Sequence, residues 1–287
     1  MTTYSITLKL FAVITLFIIL PVSSHKAYCQ ALSVGGMVGA SNYNGDLSPA
    51  VWTFSETHLA LSAWGLLEAN RFVSIKAGIT YTQLSGNDDN AKSEALQMRN
   101  LHFKSPLWEG SLCVLIDFLG NTGAFVPYVM GGVAVFHFSP KAEYNGQWYD
   151  LQPLGTEGQG LSQDKQRLYR TSGIALPLGA GIRYRLGPQW AVGVEGIYRR
   201  TFTDYIDDVS GKYFDNNTLR TYRSDLSANL ADRLGEYAGN PDLHFTTDEQ
   251  RGNPNTKDVY FTGGITVYYS FGNIGKGGRE KYDCYGF

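Results

Sequence analysis

Eight long segments of the chain alternate apolar residues with polar or small ones at every second position. The clearest is VYFTGGITVYYSFG, residues 259–272. A period of two indicates a β-strand. Strands of globular proteins have about 5–6 residues, whereas a tilted strand that crosses a bilayer needs roughly 9–11. The lengths therefore predict membrane-spanning strands. The other seven predicted strands are residues 32–43, 57–68, 72–84, 104–118, 124–138, 173–186 and 189–202.

Short and long connections alternate between these segments. The short turns, at 69–71, 120–123 and 187–188, contain the Gly, Asn and Pro that favour tight turns. Bacterial outer-membrane barrels have short periplasmic turns and long external loops. We therefore predict an all-β fold, an eight-stranded antiparallel up-and-down transmembrane barrel with both termini in the periplasm. The long loops are predicted at 45–56, 85–103, 139–172 and 203–258.

A soluble β-sandwich is the alternative fold, since its strands also alternate. Its outward positions would carry Lys, Glu and Thr, whereas the outward positions here include Leu59, Leu61, Ile75 and Ile79. The opposite face carries four acidic and four basic residues, and a charge at membrane depth persists only when it is paired or wet. We interpret these residues as an ion-pair network that fills the lumen. They are Glu68, Lys76, Glu109, Asp117, Arg183, Arg185, Glu195 and Arg199.

Aromatic residues near the strand ends are candidates for the interfacial girdles of such a barrel. Packing within the protein is the other interpretation of these side chains, and alternation alone does not separate the two. The candidates are Trp64, Trp108, Tyr184, Trp190, Tyr198 and Tyr269.

The N-terminus has the layout of a secretory signal, with Lys9 ahead of an apolar core over residues 10–20 and small residues after it. We assign residues 1–29 to a signal peptide, 30–272 to the barrel and 273–287 to a flexible periplasmic tail. The formal net charge of -2 suggests no nucleic-acid partner. Outer-membrane lipids are the expected surroundings of the barrel.

The fourth long loop contains a predicted helix. Leucine and tyrosine recur at spacings of three and four within TLRTYRSDLSANLADRLGEY, at Leu219, Tyr222, Leu226, Leu230 and Leu234. A helix that covers the mouth of the barrel is one interpretation of this stripe. A surface for an external partner is the other.

Candidate chemistry is sparse. Asp207 or Asp208 could act with His244 in a hydrolase at the rim of the barrel, but no nucleophile motif accompanies them. The five histidines lack metal-ligand spacing, and no glycine-rich phosphate loop is present, so we expect neither a cofactor nor a metal. The protein is therefore expected not to be an enzyme.

Three motifs carry a resemblance to a known family. The segments SNYNGDLSP at 41–49, YRRTFTDYIDDVSGKYFDN at 198–216 and GNPNTKDVYFTGGITVYYSF at 252–271, with a short Cys-containing tail, resemble the outer-membrane β-barrel family of Bacteroidetes that includes PorG. The resemblance implies a barrel of the type IX secretion system. Such a barrel contributes to protein export and to gliding, and anchors the periplasmic ring of the lipoprotein PorK and of PorN.

The resemblance also suggests roles for residues near the C-terminus. Val267, Tyr269 and Phe271 look like the signal that the outer-membrane assembly machinery recognises in the last strand. Cys284 and Tyr285 in the tail are the candidates for partner contact, with an intermolecular disulfide as one possibility and an unimportant end as the other. A stand-alone barrel of the OmpA/OmpX-like kind, serving adhesion or envelope stability, is the alternative function.

Overall fold

The computed structural model describes residues 31–50, 52–120, 123–161 and 167–271. The predicted signal peptide and the predicted tail, with Cys284 and Tyr285, lie outside these residues.

Eight long antiparallel strands form a closed barrel. Each strand pairs with its neighbour in the chain, and the ring closes where the first strand pairs with the last. The alternating pattern thus located all eight strands, and the predicted fold is confirmed. The barrel strands are β1 Ala31–Asn44, β2 His58–Glu68, β3 Val73–Asn87, β4 His102–Asp117, β5 Phe125–Phe138, β8 Ser172–Arg185, β9 Trp190–Thr201 and β10 Val259–Ser270.

Strand register sets the tilt of the barrel. A path that follows paired residues once around the ring leaves β1 at Asn42 and returns to β1 at Leu32, ten residues away. A shear of ten over eight strands tilts the strands by roughly 40°. The short turns lie at one end of the barrel, here called the turn end, and the long connections lie at the other, the loop end.

An apolar belt surrounds the barrel. Outward residues such as Val38, Leu59, Ile79 and Ile265 are each more than half exposed, although all are large and aliphatic. A soluble strand would not present such a continuous surface to water. The belt therefore identifies a membrane-spanning barrel, and the soluble β-sandwich is excluded.

Aromatic residues border the belt at both ends. Trp108 in β4 and Phe118, directly after β4, are exposed and lie ten residues apart along the chain. At about 3.3 Å per residue and the tilt above, the two rows are ~25 Å apart, the height of the apolar band in outer-membrane barrels. The row at the turn end comprises Phe72, Phe118, Phe125, Tyr184, Trp190, Tyr269 and Phe271, and the sparser row at the loop end comprises Tyr81, Trp108, Tyr198 and Phe202.

Trp64 is the predicted girdle residue that the structure places elsewhere. Its side chain is only 5 % exposed and points into the lumen, against Gly35. Val267, Tyr269 and Phe271 face outward, and Tyr269 contacts Trp190 with ring centroids 4.9 Å apart. These three residues are therefore part of the membrane-facing surface, and their role as an assembly signal stays a prediction.

The loop end carries additional secondary structure. An antiparallel hairpin, β6 Lys141–Tyr144 and β7 Gln147–Asp150, turns at Asn145 and Gly146, both with positive φ as a two-residue hairpin turn requires. The alternating pattern did not predict this hairpin. The helices are α1 Glu94–Arg99, α2 Asn216–Tyr222, α3 Asp225–Ala231 and α4 Leu234–Ala238. In the described ranges, no helix is long and apolar enough to cross a membrane.

The predicted helical stripe is broken into three short helices. Asp215 caps α2 by accepting a hydrogen bond from the Thr218 amide, and Ser224 caps α3 by accepting one from the Ser227 amide. Leu219 and Leu230 of the stripe are buried, whereas Tyr222 is 63 % exposed. The buried leucines of the stripe therefore pack against the rest of the protein, as expected. The prediction of one continuous helix was wrong.

The seam between β1 and β10 depends on glycine. Gly39 pairs with Gly264, and a Cβ atom on Gly39 would collide with the backbone of Gly263 and Gly264. We expect Gly39→Ala to lower the free energy of unfolding by about 1–3 kcal/mol, the usual cost of overpacking. Gly65→Ala is the matched control, because a Cβ there meets open space. Denaturant titration in lipid vesicles measures both, and equal stability of the two variants would contradict the prediction.

Candidate functional site

Three buried ion pairs occupy the lumen at successive levels. The distances are 2.5 Å from Arg199 Nε to Glu109 Oε2 near the loop end, 2.7 Å from Lys76 Nζ to Glu195 Oε1 in the middle, and 2.5 Å from Arg183 Nη2 to Asp117 Oδ1 near the turn end. All six side chains are less than a tenth exposed. Six of the eight predicted lumen charges therefore pair across the barrel.

Neutral groups add hydrogen bonds and one ring contact to two of these pairs. Tyr128 donates a hydrogen bond to Glu195 Oε2 over 2.7 Å, and Tyr260 donates one to Glu109. Arg199 also donates to the Thr262 hydroxyl over 2.6 Å, and the Lys76 ammonium lies 3.8 Å from the centroid of the Trp64 ring. These contacts stabilise the buried ion pairs, because Coulomb attraction alone does not offset the free-energy cost of removing both charges from water.

The two remaining lumen charges lie at the turn end. Glu68 and Arg185 are half-buried and line a cavity of about 10 Å³ with Arg183. A second cavity, of about 20 Å³, lies between Lys76, Glu109 and Arg199. Each volume is close to that of one water molecule. Cys113 lines the second cavity, buried and with a free thiol.

The filled lumen predicts that the barrel does not conduct ions. Purified protein in a planar bilayer should give no stable step conductance, because the paired side chains occupy the bore at three levels. A general porin reconstituted in the same bilayer is the control for detection. Regular conductance steps from the wild-type protein would contradict a closed bore.

The long connections fold over the loop end as one packed layer. We call the described parts of residues 45–57, 88–101, 139–171 and 202–258 the cap. Its apolar core joins strand residues to loop residues and is continuous with the top of the lumen. The buried members include Tyr43, Leu47, Leu84, Leu101, Phe103, Phe136, Phe138, Leu151, Ile206, Val209, Leu230 and Tyr260.

Two buried arginines tie the segments of the cap together. Arg99 of α1 forms an ion pair of 2.6 Å with Asp88 and donates to the carbonyl oxygens of Asp46 and Arg251. Arg251 forms an ion pair of 2.9 Å with Glu157 and donates to the Asp208 carbonyl. Each guanidinium thus serves groups from separate loops, which holds those loops in one arrangement.

The hypothetical hydrolytic pair is not assembled. Asp208 is fully buried and accepts hydrogen bonds from Tyr169 and Thr156, and burial raises its pKa to about 6. His244 lies instead beside Asp232, 3.7 Å from Nδ1 to Oδ2. The Asp–His pair of the alternative hydrolase hypothesis is therefore not brought together in this structure. Among the residues that the structure describes, no cluster of histidine, cysteine or carboxylate side chains has an arrangement that could hold a metal ion.

Sequence reasoning did not identify the groups that bring the three resemblance motifs together. Tyr43 lies in the first motif, Asp207 in the second and Asp258 in the third, and the Tyr43 hydroxyl contacts both carboxyl groups. The three motifs therefore meet at one buried site between cap and barrel. The available signal was that each of the three residues lies in one of the motifs. Nothing in the sequence indicated that their side chains are in contact.

The chain is similar to several solved structures of bacterial proteins. Ail, the attachment invasion locus protein of Yersinia pestis, is 9 % identical, with 84 % of this chain and 97 % of that chain covered and a TM-score of 0.38. Neisserial surface protein A is 9 % identical, with 84 % of this chain and 97 % of that chain covered and a TM-score of 0.39. A major outer membrane protein of Thermus thermophilus is 11 % identical, with 85 % of this chain and 100 % of that chain covered and a TM-score of 0.40. At such low identities and TM-scores, the fold assignment rests on the strand pairing and the apolar belt of this chain.

Comparison with protein-family models shows to which family the chain belongs. No curated protein matches the sequence. The family model described as "Domain of unknown function (DUF6089)" matches residues 9–234, a stretch that contains β1 to β9 and most of the cap. The chain therefore belongs to the DUF6089 family.

Proposed function

We propose that the protein is a non-enzymatic scaffold of the outer membrane, with the cap on the external side and the turn end in the periplasm. The observation that carries this proposal is the filled bore: three buried ion pairs occupy the lumen and the packed cap covers its loop end. Neither a solute path nor an assembled acid–base pair is found among the described residues. What the molecule offers instead is a folded, membrane-anchored platform.

On the basis of the sequence resemblance, we propose that this platform serves the type IX secretion and gliding machinery. In that role the periplasmic side anchors a ring of PorK-like and PorN-like proteins, while cargo crosses the membrane elsewhere, because the bore is filled. Cys284 and Tyr285 are the proposed contact residues for the ring. The three segments that carry the resemblance meet at one buried site, so the resemblance rests on residues that form one structural unit of this chain.

Affinity purification from outer membranes tests the secretion role. The full-length protein and a version that ends at Gly272 are purified under non-reducing conditions, and co-purifying proteins are identified by mass spectrometry. We expect PorK-like and PorN-like proteins with the full-length form only. Cys284→Ser separates a disulfide from non-covalent contact, since only a disulfide-linked partner would be lost from that variant. Recovery of both forms without partners would contradict the secretion role.

The second candidate is a stand-alone barrel for adhesion or envelope stability. The cap favours it, because its folded surface exposes the aromatic side chains Trp148, Tyr222 and Tyr237. Such residues provide large contact areas at low entropic cost. If this function is the real one, replacing the three aromatics with serine abolishes surface attachment of cells, whereas truncation at Gly272 leaves attachment unchanged. The opposite pattern would favour the secretion role.

A further inference from the structure

A tyrosine hydroxyl lies between two buried carboxyl groups where the cap meets the barrel. The Tyr43 oxygen is 2.7 Å from Asp207 Oδ2 and 2.6 Å from Asp258 Oδ1. Tyr43 belongs to β1, Asp207 to the long loop after β9, and Asp258 to the end of that loop. All three residues are at most 2 % exposed. The contact therefore clamps both ends of one cap segment to the barrel wall.

Counting protons shows that the three groups cannot all be in their usual forms. The hydroxyl of Tyr43 has a single proton and donates to only one carboxylate at a time. The second oxygen-to-oxygen contact of this length needs its own proton, because two lone pairs would repel each other at that distance. A protonated carboxyl that donates to the Tyr43 oxygen supplies it. At least one of the two carboxyl groups is thus neutral when the contact is formed.

The remaining carboxyl oxygens already accept backbone hydrogen bonds. The Val209 amide donates to Asp207 Oδ1 over 2.9 Å, and the Ile206 amide donates to Asp258 Oδ2 over 2.8 Å. These bonds orient one free position of each carboxyl group toward the phenol. The shared proton therefore lies on the Tyr43 side of Asp207 or Asp258.

Gly45 leaves the space that the cluster needs. A Cβ atom on Gly45 would collide with the Tyr43 hydroxyl and with Asp258 Oδ1. Leu47 lies two residues further on, and its amide donates to Asp207 Oδ2 over 3.3 Å. The loop after β1 is thus shaped around the three side chains.

We propose that Tyr43, Asp207 and Asp258 form a proton-dependent latch, which holds the 202–258 segment of the cap on the barrel while a proton is shared and releases it as pH rises. Loss of the proton leaves two carboxylates around one phenol oxygen in a buried site. That repulsion is relieved when the segment moves away and water reaches the carboxylates.

The charged groups around the latch contribute both negative and positive electrostatic potential. Asp46 from the loop after β1 and Asp204 from the segment itself add negative potential, whereas Arg99 of α1 adds positive potential. Burial raises the pKa of Asp258 to about 8, although hydrogen bonds from Tyr43 and Ile206 lower it. Burial, followed by the neighbouring Asp258 and Asp46 carboxylates, raises the pKa of Asp207 well above its ordinary value.

The pH window follows from the direction of these shifts. A carboxyl group whose pKa is raised in the closed state stabilises closure fully below its ordinary pKa of about 4, and this stabilisation is lost as pH rises to the raised pKa. Each proton released on opening changes the opening equilibrium up to tenfold per pH unit. Asp204 and Asp208 also titrate, each with a pKa raised to about 6 by burial. Between pH 7 and 8, above the pKa values of Asp204 and Asp208, the pH dependence of opening therefore reports on the latch.

Infrared spectroscopy of the full-length protein in lipid vesicles tests the shared proton. The C=O stretching band of a protonated carboxylic acid should be present at pH 7 in the wild-type protein. In Asp258→Asn and in Asp207→Asn the intensity of that band should fall by the contribution of one carboxylic acid, because the asparagine amide donates to Tyr43 in place of the acid. Wild-type and variant spectra that coincide in this band would overturn the proposal.

Hydrogen–deuterium exchange tests the release. After correction for intrinsic exchange rates, protection of amides in 203–209 should fall up to tenfold from pH 7 to pH 8 in the wild-type protein. Protection should be independent of pH in Asp258→Asn. Asp150→Asn, which removes the carboxylate of an exposed pair with Lys141, is the matched control and should behave like wild type. A wild-type protein without this dependence, or a dependence that persists in both Asn variants, would overturn the latch.

Discussion

Arg199→Met is expected to lower the free energy of unfolding of the barrel by about 3–5 kcal/mol, the usual effect of leaving one member of a buried ion pair alone. The substitution keeps an unbranched side chain of similar length and removes only the guanidinium. Glu109 then remains in the lumen with one hydrogen bond, from Tyr260. Denaturant unfolding in lipid vesicles measures the loss, and the mobility of the unheated protein on gels reports the folded fraction.

Two further variants make the lumen experiment decisive. The double variant Arg199→Met with Glu109→Met should recover most of the stability, because it leaves no unpaired charge in the bore. Lys141→Met is the control at an exposed pair, whose side chains are 38 % and 52 % accessible, and it should cost less than about 1 kcal/mol. If Arg199→Met costs no more than Lys141→Met, water reaches Glu109 and the filled bore is contradicted.

Arg251→Met is expected to open the cap while the barrel stays folded. It removes the ion pair with Glu157 and the hydrogen bonds to the carbonyls of Asp208 and Ala231, all of them buried. Local stability of the cap should fall by about 3–5 kcal/mol. Limited proteolysis should then cut within 202–258 about hundreds to thousands of times faster, as that free energy implies, whereas the gel mobility of the membrane-embedded part stays native.

Arg220→Met is the matched control for the cap experiment. Arg220 forms an ion pair of 2.7 Å with Asp225, but both side chains are exposed. Its replacement should leave the proteolysis rate nearly unchanged, since exposed pairs contribute little. Simultaneous loss of barrel mobility and cap protection in Arg251→Met would show instead that cap and barrel unfold as one unit.

Such variants separate two kinds of buried charge in one molecule. In the lumen the charged side chains come from regular strands, and their spacing follows strand geometry. In the cap they come from loops whose backbone is held by those same side chains, so removal of one arginine changes the loop conformation itself. The lumen pairs therefore set whether the barrel is stable, and the cap pairs set which surface the protein presents at the loop end.

Strand positions could be predicted because the barrel imposes a repeating environment. Each strand has a lipid-facing and a lumen-facing side, so the side-chain pattern alone locates it, as in 259–272. The largest differences lie at loop-end boundaries, such as β3, which continues to Asn87 beyond the predicted residue 84. There the environment changes from lipid to the packed cap, and alternation no longer marks the strand.

Local signals existed for two features that the pattern analysis missed or merged. Asn145 and Gly146 are the preferred pair for a two-residue hairpin turn, and they mark the β6–β7 hairpin. Ser224 is a good N-cap residue and divides the predicted helix between α2 and α3. For Trp64 the alternation itself was the signal, because Trp64 lies four residues before the inward Glu68 in β2 and therefore shares its face.

The number of strands, the lipid-facing and lumen-facing residues and the end of the barrel that carries the long loops all follow from the alternating pattern. Only the folded barrel shows that Lys76 meets Glu195 across the bore, because pairing between β3 and β9 depends on shear and tilt. It alone brought Tyr43 to Asp207 and Asp258, 164 and 215 residues away. Alternation is a local consequence of strand geometry, whereas these contacts arise from closure of the ring and from packing of loops that have no periodic pattern.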